Sequence, residues 1–381
     1  MRLAIMIPRW GIPSEVWALR SAKALAPDVK LVVADEAPSE WEGVPGFALS
    51  PPEQLLPFAQ RLRRRLQHRI SPPISRPQLL RKRLETLEID TLLIHYATFA
   101  DSTREIWEGL PIRVFVRCHG YDIHTNGRED LWPHRLHHDG DHYRAKLRSL
   151  SKDASLIANS KHTRSSLLAD GIPPEKISLQ YFGVPTQNLR RTDSDTPLRC
   201  LYLGRMVDCK GADLVVRGFA SALKGGLSAR LTMAGEGPLL TTCELLAHDL
   251  GLGEKIRFLG SVTEAEASEL YQQSDVFLNH HRTGPLTNRE EAFGVTLIEA
   301  MSHGLPVLTG RSGGVPESVI DGKTGFLVEP GDIETYTSHL SNLGQDRSLL
   351  EQLSKNSQNH VRAHFSIEQE TATLARILES Q

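Results

Sequence analysis

The sequence predicts an α/β protein built from two doubly wound parallel sheets. Two observations carry this reading. Short apolar runs alternate with longer amphipathic ones along all 381 residues, the pattern of strands that cross over through helices. The pattern also occurs twice, on either side of a polar, proline-flanked stretch from Gly183-Val184-Pro185 to Thr196-Pro197, which suits a linker. A chain of this length exceeds one ordinary core. We therefore expect one domain over residues 1–185, a second over 186–365 and a closing helix over 366–381.

In the first half, strands are expected at Leu3–Ile7, Lys30–Ala34, Thr91–His95, Val114–Arg117, Ser155–Asn159 and Ile177–Tyr181. In the second half they fall at Arg199–Leu203, Arg230–Ala234, Ile256–Leu259, Val276–Asn279, Pro306–Thr309 and Gly325–Val328. Short apolar runs of this kind suit parallel strands buried on both faces. Helices fill most intervals. One opens at Lys210-Gly211 and carries Leu214, Val215, Val216 and Phe219. Another runs from Val295 to His303, with Gly304 as its stop. The last starts at Ser366, where Ser366 and Gln369 make a capping box ahead of Ile367, Leu374, Ile377 and Leu378.

Composition narrows the class. Hydrophobic residues at 40% and charged residues at 24% are those of a globular protein. A net charge of -2 gives no global pull toward nucleic acid or a membrane. Cys118, Cys200, Cys209 and Cys243 show no CxxC spacing and read as reduced thiols, which suits a cytoplasmic compartment. The apolar start, Met1 to Ile7, is broken by Pro8 and is too short for a signal segment. No run approaches the ~20 apolar residues that span a bilayer.

One segment is strongly biased. Between Gln54 and Leu84 there is no acid, yet Arg61, Arg63, Arg64, Arg65, Arg69, Arg76, Arg81, Lys82 and Arg83 all fall there. It reads equally as a solvated helix face and as a patch for anionic lipid head groups, where each cation gains about 1 kcal/mol. The second reading places the protein peripherally on the inner face of the plasma membrane. Nucleic acid is disfavoured, since no aromatics interleave the cations. The stretch His124, His134, His137, His138, Asp139, Asp141 and His142 matches no zinc spacing; a loop lining an acceptor pocket is the better reading, and no metal is expected.

The second half holds the chemistry. Gly204-Arg205 ends a strand and Lys210-Gly211 opens a helix, a natural anion site. Arg205 offers a fork to phosphate oxygens and Lys210 a point charge. Ala234-Gly235-Glu236-Gly237-Pro238 follows the next strand, with glycines that let a ligand approach backbone. Glu291 and Glu299 bracket Phe293-Gly294-Val295. Amides at that helix start suit a phosphate, and two ionised carboxylates suit sugar hydroxyls. Glu299 lies among Leu297, Ile298, Ala300 and Met301, so its charge needs a partner.

Together with Gly313-Gly314-Val315-Pro316-Glu317, these motifs resemble the retaining GT-B glycosyltransferases of family 4, most densely over Leu201–Pro330. The resemblance implies two facing Rossmann-like domains, a nucleotide-sugar donor held by the second, and a last helix that crosses back to the first. It implies that Arg205 and Lys210 bind the diphosphate, Glu291 the donor sugar and Glu299 the ribose. Phe293, Gly294 and Val295 would face phosphate or sugar, Gly235 and Glu236 the donor, and backbone at Val262 the base. Gly11, in the loop after the first strand, would reach over the phosphate, with Trp10 shaping the acceptor side. Arg117-Cys118-His119-Gly120-Tyr121-Asp122 is similar to the family's His-Gly-x-Asp strand end. His119 is the catalytic candidate there, with Asp122 on the acceptor side. His95 is a further acceptor-side candidate.

The implied reaction moves a hexose from a UDP- or GDP-sugar to an acceptor hydroxyl in surface polysaccharide, lipopolysaccharide or lipid-linked oligosaccharide synthesis. Configuration is retained, with no cofactor and no metal, and Glu291, His119, Arg205 and Lys210 carry the chemistry. Two other classes share parts of the pattern. A GT-B phosphorylase or epimerase would share the sheets and the phosphate site. A non-catalytic nucleotide-binding Rossmann protein or an oxidoreductase would share the sheets, although the first strand lacks GxGxxG.

Overall fold

The structure is a computed structural model that describes residues 1–11, 16–49, 75–120, 122–123, 140–187 and 197–380. Its strands are β1 (Leu3–Met6), β2 (Val29–Ala34), β3 (Glu40–Trp41), β4 (Val44–Ala48), β5 (Thr91–His95), β6 (Arg113–Arg117), β7 (Ser155–Ala158) and β8 (Ile177–Leu179) in the first half. The second half has β9 (Leu198–Leu203), β10 (Ala229–Ala234), β11 (Ile256–Phe258), β12 (Val276–Leu278), β13 (Val307–Gly310) and β14 (Gly325–Val328). The first sheet runs in the order β3-β4-β2-β1-β5-β6-β7-β8 and the second in the order β11-β10-β9-β12-β13-β14. Every pairing is parallel except β3 with β4.

The apolar runs explain this burial. All four residues of β1 and all five of β5 are buried, because helices cover both faces of a parallel sheet. The edge pair β3 and β4 was not expected from the sequence. β3 has two residues, and Pro45-Gly46 interrupts the apolar character of β4.

The order of each sheet reverses between adjacent strands, from β1 to β5 in the first and from β9 to β12 in the second. Ligands collect at such switch points, beyond the carboxyl ends of the strands. An apolar cluster bridges the two halves, packing Trp17, Ala18 and Phe182 with Phe293, Leu297 and Ile298.

The chain closes on itself through its last helix, Ile367–Glu379, capped by Ser366 and Gln369 as expected. Leu374 and Leu378 are fully buried against Leu3, Leu93 and Phe115 of the first sheet. A buried ion pair fastens it. Glu370 accepts from the Arg117 guanidinium at 2.6 Å, from Ser21 at 2.9 Å and from the Gly183 amide at 2.8 Å. The Arg117 and Glu370 side chains are 0% and 1% exposed.

Removing one partner of such a pair leaves a buried charge, at about 3–5 kcal/mol, whereas replacing both with apolar groups is far cheaper. Glu370→Leu is therefore expected to lower the urea midpoint sharply, and the Arg117→Met/Glu370→Leu double variant to recover most of the loss. A double variant no better than the worse single would show that the pair does not anchor the helix.

Candidate functional site

The two sheets face each other across a cleft of about 1130 Å³, large enough for a nucleotide sugar with room to spare. The second half lines it with three loops at the carboxyl edge of its sheet, 203–210, 234–237 and 261–264, and with the start of the helix Val295–Ser302. The first half contributes Pro8, Arg9, Trp17, Arg20, Tyr96 and His119, among others.

Lys210 ends a short turn, Asp208–Lys210, and its ammonium contacts Oε2 of Glu291. The ammonium and the nearby His281 ring hold the Glu291 carboxyl well below the ordinary value, against a burial that pushes it up. Glu291 is therefore an ionised acceptor. The Arg205 side chain is exposed in the cleft, and its guanidinium has no hydrogen-bond or ion-pair partner among the described residues. Gly294, at φ +88, opens the Val295–Ser302 helix with no side-chain cap. A Cβ there would come within 2.7 Å of Leu297. The first amides of the helix thus face the cleft with no side-chain partner, beside two cations, as an anion requires.

Glu299, one turn further on, is not vacant. Arg20 donates to it at 2.8 Å from across the cleft, Arg20 also reaches Glu264 at 2.7 Å, and the Tyr271 hydroxyl lies 3.3 Å away. The sequence implied that Glu299 needs a partner but did not show which; Arg20 is 279 positions away. Gly235, Glu236, Val262, Phe293 and Val295 all line the cleft. The Phe293 ring also packs on Tyr181 and Phe365, both at 5.4 Å.

His119 enters from the first half. Gly120, at φ +88, lies so close to the second half that a Cβ would come within 2.3 Å of Ala292. That approach sets His119 beside the Glu291 loop. Its ring stacks on Trp17 at 4.2 Å and meets the Tyr96 ring at a tilt, with centroids 4.4 Å apart. Tyr96 holds φ +73, an unusual backbone for a bulky residue and one typical of functional sites; the sequence did not reveal it. Asp208 was also missed. Its buried carboxylate accepts from the amides of Leu286 and Thr287, each at 2.9 Å, and ties that loop to the Lys210 turn.

Four expected positions are elsewhere. Asp122 is fully buried and does not line the cleft. Its carboxylate accepts from the amides of Ala97 at 2.6 Å and His119 at 2.8 Å, so it shapes the strand end rather than meeting an acceptor. His95 is 1% exposed and sits behind His119, with 3.2 Å between their ring nitrogens. Trp10 turns from the cleft onto Trp41, at 5.3 Å. Gly11 does not line the cleft either; Pro8 and Arg9 do. Of the expected acceptor loop, His124, His134, His137, His138 and Asp139 lie outside the described residues, as do Tyr121 and Arg61–Arg69 of the basic segment. Asp141 and His142 begin the exposed first turn of the helix Gly140–Asp153. Among the described residues, no group of three or more His, Cys, Asp or Glu side chains could hold a metal ion.

Burial lowers His95 and His119 well below the ordinary histidine value, so both are neutral in the fold. Below pH about 6.5 the unfolded chain takes up protons that the folded chain refuses, so these groups cost stability as pH falls. Asp122 acts in the opposite sense, since burial raises its carboxyl to about 6 and the folded chain then holds the extra proton below that pH. We expect His119→Gln to make the loss of stability between pH about 7 and about 6 shallower, by up to about 1.4 kcal/mol per pH unit. Urea midpoints across that range check it; equal slopes in both proteins would refute it.

Two family models match the chain: Glycosyltransferase Family 4 over residues 2–188 and Glycosyl transferases group 1 over residues 187–360. The GDP-mannose-dependent alpha-(1-6)-phosphatidylinositol monomannoside mannosyltransferase of Mycolicibacterium smegmatis is 31% identical over 216 residues, 53% of this chain and 56% of that protein. The chain thus spans about half the length of that relative. The amylovoran biosynthesis glycosyltransferase AmsK of Erwinia amylovora is 25% identical over 311 residues, 80% of this chain and 73% of that protein. The crystal structure of Anabaena HepE in complex with UDP and glucose shares the fold over 100% of both chains, with a TM-score of 0.75 at 19% identity. The chain belongs to glycosyltransferase family 4 and has the GT-B fold.

Proposed function

We propose that the chain moves a hexose from a nucleoside diphosphate sugar to a hydroxyl of a saccharide or lipid-linked saccharide, with retained configuration and without a metal ion. The observation that carries this is the ionised Glu291 held by Lys210, beside the free Arg205 guanidinium and an uncapped helix start in one cleft. The family relatives support the reaction class. One is named for GDP-mannose and a phosphatidylinositol mannoside, another for amylovoran biosynthesis, and a structural neighbour holds UDP. The base is therefore left to measurement.

In this reading the acceptor oxygen bonds to the anomeric carbon as the carbon–phosphate oxygen bond breaks. The acceptor proton passes to the departing diphosphate on the same face. Arg205, Lys210 and the helix-start amides stabilise the charge that grows there. Glu291 accepts from the sugar hydroxyls. Among the described residues, the carboxylates that line the cleft (Glu236, Glu264, Glu291 and Glu299) all come from the donor half. No described acid of the opposite half lines the cleft as a nucleophile, which favours front-face retention. The exposed Lys82 and Arg83, with Leu79 on the same helix Arg76–Thr86, support peripheral seating on an anionic membrane facing the cytoplasm. No described helix is long and apolar enough to cross a membrane.

The test is nucleotide release from UDP- and GDP-sugars in the presence of glycolipid acceptors, with NMR of the product's anomeric centre. One donor is expected to be consumed. Lys210→Ala and Glu291→Gln are each expected to keep the fold and lower kcat about 10²–10³-fold, the scale of one lost transition-state donor. Near-normal kcat in both would overturn the reading, and phosphate-dependent release of sugar phosphate would replace it with a phosphorylase. For the membrane, liposome flotation is expected to recover the protein with anionic vesicles and not with neutral ones; equal recovery would remove that part.

A further inference from the structure

Asn279-His280-His281 follows β12 directly, and His281 is fully buried where the Glu291 loop begins its return. Its two ring nitrogens have different neighbours. Nδ1 lies 2.8 Å from the Thr309 hydroxyl on β13. Nε2 lies 3.4 Å from Oε2 of Glu291. The Thr309 oxygen also accepts the His281 backbone amide at 3.4 Å. A hydroxyl has one proton to give and lone pairs to receive. An ionised carboxylate can only accept, so the ring nitrogen that faces Glu291 is the one that carries the proton, and Nδ1 accepts from the Thr309 hydroxyl. The ring proton then sits on Nε2 and faces the carboxylate. Burial lowers the ring's basicity, so the imidazole is neutral and carries one proton only. His280 is turned the other way, its Nε2 accepting from the Gly331 amide at 2.9 Å.

Lys210 and His281 meet the same oxygen, Oε2. Oε1 has no partner among the described residues. A carboxylate held by one oxygen, with its other oxygen open to the cleft, is an oriented acceptor.

We propose that His281, set by Thr309, is a positioning residue that together with Lys210 pins Oε2 of Glu291 and presents Oε1 to the hydroxyls of the donor sugar. The Lys210 contact is the short, charge-assisted one. Nε2 faces Oε2 at 3.4 Å outside hydrogen-bond geometry, so the ring steers the carboxylate electrostatically while Lys210 carries the charge. The sugar as occupant rests on the function proposed above; the pinned carboxylate does not.

The experiment has two arms. In the first, long-range proton–nitrogen NMR on the wild type, compared with His281→Gln to assign the ring, reads the tautomer without any substrate. A neutral ring protonated at Nε2 is expected at neutral pH. A ring protonated at Nδ1 alone, or an imidazolium, would overturn the proposal. In the second, binding of UDP, GDP and their hexose conjugates is measured for the wild type, His281→Leu and His281→Gln. His281→Leu is expected to bind the sugar-free diphosphate as the wild type does. It is expected to lose about tenfold or more in affinity for the conjugate. His281→Gln, which keeps a donor, is expected to recover part of that loss. Equal loss for both ligand types would make His281 structural only, and no loss for either would make it idle. A wild type that binds no nucleotide sugar would sink the function reading, while the tautomer still decides whether the carboxylate is pinned.

Discussion

Arg117 and Glu370 meet at the point where β6, the helix Val16–Ala24 and the terminal helix converge, and the cleft depends on that meeting. The terminal helix begins where the second half ends, yet it packs on the first sheet. Two strongly opposed ions with almost no exposure must stay together or leave a charge in an apolar interior. Ser21, Gly183 and the Phe182 ring, with the guanidinium 4.1 Å above its centre, surround the pair. Gly183 and Phe182 belong to the segment that leaves β8, and Cys118-His119 follows directly from Arg117. One ion pair therefore fixes the outgoing chain, the returning helix and the strand that delivers His119.

The charge in the cleft is divided unequally between the halves. The second half supplies Glu291, Lys210, Arg205 and the helix start. The opposite half supplies Arg20, Arg9 and uncharged rings, with His119 held neutral by burial and by the neighbouring His95 and Arg117. Such a division suits a reaction whose charge develops at the diphosphate. The rings opposite carry no charge, and they lower the local dielectric in which the cations act.

Much of this was legible in the sequence, and the failures have physical reasons. Parallel strands announce themselves by apolar runs, so twelve of them were placed; β3 and β4 at the edge carry too little apolar character. Lys210, Arg205, Glu291 and Gly294 stand next to strand ends and helix starts, where chain-local geometry alone aims them at the cleft. Asp122 and His95 also stand at strand ends, but local position does not tell which side of the turn a group faces. Asp122 folds back onto the amides of Ala97 and His119, while His119 itself faces out. Arg20, Asp208 and His281 act through partners distant in sequence, at Glu299, Thr287 and Thr309. No periodicity records such pairs.

The pose of Arg20 has a consequence for how a nucleotide is received. Its guanidinium bridges Glu299 and Glu264, with side-chain exposures of 19%, 20% and 57%. Partly exposed pairs of this kind contribute on the order of 1 kcal/mol or less. A ribose that took Glu299, as the family resemblance implies, would displace one arm of the guanidinium and leave the other on Glu264. The loss is small beside the roughly 8 kcal/mol of a micromolar ligand, so the contact fills the site without closing it. The halves would also stay joined, because another tie lies apart from that carboxylate. Glu317 accepts from the amides of Lys161 and His162 at 2.7 and 2.8 Å and from the Tyr181 hydroxyl at 2.9 Å. With Glu317 bearing the connection, Arg20 is free to exchange partners.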